Sequence, residues 1–186
     1  ASGKAVYDWT ILDRIVDAYR TRGLKPFVQL GFMPEALSSA PAEVPYRHFW
    51  KPGDPYNDIY TGWTYAPRDY KKWEELCYQV TRHFVEKYGR AEVESWWFEL
   101  WNEPDIGYWS GSVGPAGRGN PLAAQKAQTR REEFNKLYDY TVEGVRRALP
   151  TAKMGGPEVT GGAQAMLRTF LQHTSAGTNH ATGEVG

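Results

Sequence analysis

The chain has 186 residues, and its 22 Lys and Arg balance its 22 Asp and Glu, so it carries no net charge. That length fits one domain with a proper core, and the balance leaves no long-range field to recruit nucleic acid or an anionic membrane surface. The lone Cys77 excludes an internal disulfide or a cysteine cluster. No apolar run approaches the roughly 20 residues that span a bilayer. His48, His83, His173 and His180 show no metal-motif spacing, so no metal or other cofactor is expected. Aromatics are the anomaly, at 15% with 8 Trp. They suit a heavy core, a partner interface or a site that stacks the flat faces of sugars. The opening Ala1-Ser2-Gly3-Lys4 lacks a signal pattern and an initiating Met. A truncated start is expected, and a cytoplasmic or a secreted setting both remain open.

In chain order, Asp8 can cap a first helix in which Trp9, Leu12, Ile15, Val16 and Tyr19 recur at helical spacing before Gly23. "LKPFVQLGF" (24–32) suits a short strand, with Pro26 near its start. Residues 33–66 form a long loop with five prolines and with Phe49, Trp50, Tyr56, Tyr60, Trp63 and Tyr65. A loop of that length in a compact domain is functional or disordered, and the aromatics argue for function. Pro67 suits the first turn of a second helix, which Tyr70, Trp73, Cys77, Val80, Phe84 and Tyr88 carry to Gly89. The strand "WWFELWNEPD" (96–105) follows, then a glycine-rich loop over 104–128. A third helix runs from about Thr129 to Leu149, then a strand "AKMGGP" (152–157) and a helix over 163–173. Gly155-Gly156 lacks the spacing and the Lys of a phosphate loop and reads as a tight turn. Strands separated by single helices run parallel, which makes the fold α/β. Three strands do not close a barrel, so residues 1–186 are expected to be a fragment of one.

Alternation along 96–103 puts Trp96, Phe98 and Leu100 on one face and Trp97, Glu99, Trp101 and Glu103 on the other, provided that no bulge intervenes. The apolar face suits the helix layer. The other then points inward, with Glu103 at the mouth and Pro104 holding it extended. Glu99 and Glu103 are about 13 Å apart along a strand. Catalytic carboxyls of glycosidases stand about 5–5.5 Å apart in retaining enzymes and about 6.5–9.5 Å apart in inverting ones. The two therefore do not form a pair, and Glu99 reads as a buried, paired structural carboxylate.

"WWFELWNEPD" resembles the fourth-strand signature of the clan A glycoside hydrolases, and most closely family 39, the β-xylosidases and α-L-iduronidases. Three further segments extend the resemblance over nearly the whole chain. "YDWTILDRIVDAYRTRGLKPFVQLGFMPEAL" is similar to the family's second helix and third strand, "YDYTVEGVRRALPTAKMGGP" to its fourth helix and fifth strand, and "NHATGEVG" to the approach to the sixth. The resemblance implies a partial (β/α)8 barrel, about strands 3 to 5 with flanking helices. It also implies a retaining, β-xylosidase-like hydrolase with a carbohydrate substrate such as a xylo-oligosaccharide or an aryl or alkyl glycoside. An iduronidase-like glycosidase and a non-catalytic sugar-binding relic are the alternatives, and the oligomeric state is left open.

Carried across by motif, Glu103 matches the general acid/base and Asn102 the residue that binds the sugar 2-hydroxyl. The nucleophile, a Glu of the seventh strand, falls outside this chain, so the fragment alone is expected to be inactive. Phe32, directly after a strand end, and Trp109 are candidates for stacking on substrate, as are Tyr108, Trp50 and Trp63. Each of these aromatics can equally be loop packing. Glu158 stands where the family usually has a small residue after "GGP", on a strand about 4.8 Å from its neighbour, and so can approach Glu103.

Overall fold

The computed structural model describes residues 4–46, 61–115 and 121–185. The elements are α1 (Thr10–Arg20), β1 (Phe27–Leu30), α2 (Tyr70–Tyr88), α3 (Arg90–Val93), β2 (Trp97–Leu100), α4 (Ala123–Ala148), β3 (Lys153–Gly155) and α5 (Gln164–Ala176). The strands form one parallel sheet in the order β1-β2-β3. The strand–helix alternation expected for an α/β fold is therefore present.

Helix ends differ from the expected ones for local reasons. The cap of α2 is Asp69, whose carboxylate accepts from the backbone N–H of Lys71 and Lys72 at 2.9 and 3.2 Å. Pro67 lies before the helix, bridged to Ser38. α4 starts six residues earlier than Thr129, because Ala123, Ala124, Gln125, Lys126 and Ala127 are good helix formers without an apolar stripe. In α1 only Val16 is buried, while Ile15 and Tyr19 are exposed. That helix is tied to α2 by Asp13, which meets His83 at 2.6 Å and Lys87 at 2.9 Å. Phe49, Trp50, Tyr56 and Tyr60 of the aromatic loop lie outside the described residues.

The core lies between the sheet and the helices. Phe98 and Leu100 of β2 are fully buried with Trp96, Phe84, Phe134, Leu137 and Val145. Cys77 belongs to this core, and burial pushes its thiol pKa up, which keeps it protonated and unreactive. α2 and α4 approach closely at Gly144, where a Cβ would stand 2.3 Å from the Glu74 carbonyl oxygen. Trp73 crosses the same seam, its indole N–H donating to Thr141 Oγ1 at 2.8 Å.

The opposite face of the sheet carries Phe27, Trp97 and Lys153 in one row and Gln29, Glu99 and Gly155 in the next. Phe27 is 60% and Trp97 49% exposed. In a closed barrel such a face is filled by layers from the other strands.

Candidate active site

β2 does not continue extended to the motif's end. Trp101 has φ 65° and Glu103 φ 43°, both in the left-handed region. These two kinks break the alternation, so Trp101 does not share the inward face with Glu99. Trp101 is instead fully buried, with its indole N–H donated to the Tyr108 carbonyl at 2.6 Å. Its ring meets Phe32 and Trp109 edge-on, with centroids 5.2 and 5.1 Å away. Gly31 allows this fit, since a Cβ there would stand 3.1 Å from Trp101 Cε3.

The kinked segment is fastened to both neighbouring strands. The Trp101 N–H donates to the Leu30 carbonyl at 3.0 Å and the Glu103 N–H to the Glu158 carbonyl at 2.9 Å. Asn102 bridges to Glu158 in parallel register. Beyond them Asp105 accepts from the Thr160 N–H at 3.0 Å and from the Thr160 hydroxyl. Asn102 and Glu103, both half-buried, thus stand at the carboxyl end of the sheet. In parallel α/β folds that edge carries the chemistry.

Of the expected stacking residues, Phe32 stands beside this segment, directly after β1. It is half-buried and packs against Trp63 at 4.9 Å and Tyr108 at 5.7 Å. Trp109 is fully buried, its indole N–H given to the Arg130 carbonyl at 2.8 Å and its ring against Phe134. A ring so enclosed offers no face to a sugar, so Trp109 takes the packing role that its loop position also allowed. Trp50 lies outside the described residues.

Glu158 meets Glu103 through its backbone only. Its side chain turns along the inner face, where Oε2 accepts from Gln29 Nε2 at 2.6 Å, and the same amide nitrogen reaches Glu99 Oε1 at 3.1 Å. Gln29, Glu99 and Glu158 form one polar layer beneath the Asn102–Glu103 segment. Gln29 carries a signal for such a role in the sequence itself, as a lone amide within the apolar run of β1 at the parity of the inward face. Partial burial, with the neighbouring charge of Glu158 behind it, raises the Glu99 pKa above the ordinary glutamate value, against the Gln29 hydrogen bond. A carboxyl raised in this way binds its proton more tightly folded than unfolded. Its contribution to stability therefore falls as pH rises from the ordinary glutamate value through the folded one. Glu99→Gln is expected to flatten that decline and to be relatively more stable at pH 7 than at pH 4. Urea midpoints across that range measure it, and an unchanged slope would refute the raised Glu99 carboxyl.

The profile of "Glycosyl hydrolases family 39" matches residues 1–182. The chain belongs to glycosyl hydrolase family 39. A β-xylosidase of Geobacillus stearothermophilus is 35% identical over 90% of the chain, which spans 28% of that relative. The human α-L-iduronidase is 30% identical over 62% of the chain and 16% of its own length. Among solved structures, a family 39 β-xylosidase from Caulobacter crescentus superposes with a TM-score of 0.67 at 30% identity, over 94% of this chain and 32% of that one. The chain thus spans less than a third of the length of these relatives. The three parallel strands and flanking helices of its described residues are a part of the family's α/β barrel.

Proposed function

We propose that residues 1–186 are a segment of the single catalytic barrel of a retaining, β-xylosidase-like glycoside hydrolase. In this reading Glu103 is the general acid/base and Asn102 binds the sugar hydroxyl beside the reacting carbon. The observation that supports it most is the Asn102–Glu103 segment itself, turned by two left-handed residues and tied to β1 and to the Glu158 carbonyl beyond β3. Such fastening holds a proton donor at one place in a cleft, which proton transfer to a glycosidic oxygen requires. A β-xylosidase match of 35% identity over 90% of the chain, against 34% over 62% for the mouse iduronidase, favours a xyloside as substrate.

The reaction is a double displacement. Glu103 gives its proton to the departing oxygen while a second carboxylate, from a strand outside these residues, attacks the anomeric carbon. Glu103, now a base, then takes a proton from water as that water releases the sugar. Two inversions return the starting configuration. In the full-length protein, proton NMR of the first product formed from an aryl β-xyloside is expected to show β-xylose. First-formed α-xylose would overturn the retaining mechanism. Release of sugar from iduronides and not from xylosides would replace the substrate.

A further inference from the structure

Far from the mouth, two histidines without a shared motif converge on one carboxylate. Asp139, in α4, has a side chain only 7% exposed. His173 lies three residues before the end of α5, and His180 lies in the segment that follows. His173 Nε2 stands 2.9 Å from each Asp139 oxygen. His180 Nδ1 stands 2.7 Å from Oδ2, which also accepts the His180 backbone N–H at 2.8 Å. One side-chain ligand atom from each residue falls within 4.8 Å of the others.

The chain is shaped to bring them together. A Cβ on Gly177 would stand 2.6 Å from His173 Nδ1, so only glycine lets the segment pass that ring. Asn179 then folds the segment back, its Oδ1 accepting the N–H of Ala181 and Thr182 at 2.8 and 3.1 Å and its amide reaching Glu143 at 3.3 Å. Helices that follow parallel strands run back across the sheet, so this cluster lies toward the end where strands begin, opposite Glu103.

We propose that Asp139, His173 and His180 bind a divalent transition-metal ion of the zinc class, which pins the 177–185 segment to the helix layer. Two imidazoles and one carboxylate are donors that zinc takes, whereas calcium would seek six or more oxygens. Bonds of about 2.0–2.2 Å in a tetrahedral site put ligand atoms about 3.3 Å apart. The present 2.7–2.9 Å contacts open by about half an ångström to admit the ion. On the metal each ring turns a lone pair to the ion and carries its N–H on the other nitrogen, His173 Nδ1 and His180 Nε2. His180 is 41% exposed, so water reaches the fourth position. Glu143 and Glu184 line the same cavity, where among the described residues Arg146 is the one Lys or Arg, which leaves its field favourable to a metal.

The test uses the whole protein, stripped with chelator and titrated with zinc alone and then with cobalt(II) alone. One equivalent of zinc is expected to bind and to raise Tm, and cobalt to give the intense visible bands of a four-coordinate site. His180→Ala, at an exposed position, is expected to weaken zinc at least about tenfold and to abolish the cobalt bands. Should that variant lose stability without metal, the wild-type cobalt spectrum decides alone. No zinc binding, unchanged zinc binding in folded His180→Ala, or only weak six-coordinate cobalt bands would each overturn the site.

Discussion

Glu103→Gln in the full-length enzyme is expected to slow cleavage of xylosides with alkyl or sugar leaving groups by about 10²–10⁴-fold. An aryl xyloside whose phenol is acidic should keep most of its kcat/KM, because its departing oxygen needs no proton. The split follows from the chemistry assigned to one carboxyl. The amide retains the size and backbone position of Glu103, including the N–H bond to the Glu158 carbonyl, so binding geometry persists while the proton is lost. The second step loses its base as well. A glycosyl-enzyme should therefore accumulate after a burst of phenol, and azide, which attacks without a base, should restore turnover and give a β-configured product. Equal losses on both substrate types would remove Glu103 from the acid role.

Much of this arrangement is written in residue order, and the parts that are not have physical causes. Alternation places Phe98 and Leu100 under the helices, because a strand between helix layer and barrel interior has only two faces. It fails at Trp101, since nothing in a string of letters announces a bulky residue with positive φ, and part of the packing that holds it comes from Gly31 and Phe32, about 70 residues back along the chain. The start of α4 is hidden for the opposite reason, since its first turns form on propensity and bury little. The Asp139, His173 and His180 cluster is invisible at the level of spacing because three different elements supply its members. Glu158 shows both limits together. Strand spacing correctly brings it beside Glu103, yet only the backbone arrives, and the carboxylate goes to Gln29 in the layer below.

Trp101→Ala is expected to cost about 3–5 kcal/mol of stability, since it empties a fully buried indole site and leaves the Tyr108 carbonyl without its donor. A cavity alone predicts that Ala is better tolerated than Gly, as it is at most positions. The backbone here predicts the reverse. At φ 65° any residue with a Cβ is strained, by roughly 1 kcal/mol or more, and the wild type sustains that strain through the ring's contacts with Phe32 and Trp109. Once the ring is gone, Gly relieves the strain and Ala does not. Trp101→Gly should therefore equal or exceed Trp101→Ala in stability by urea denaturation, by up to about 1 kcal/mol. Activity should fall in both variants, because Asn102 and Glu103 take their direction from this turn. If Ala proves clearly the more stable, the turn is not held by the indole, and Glu103 owes its position to the strand ends alone.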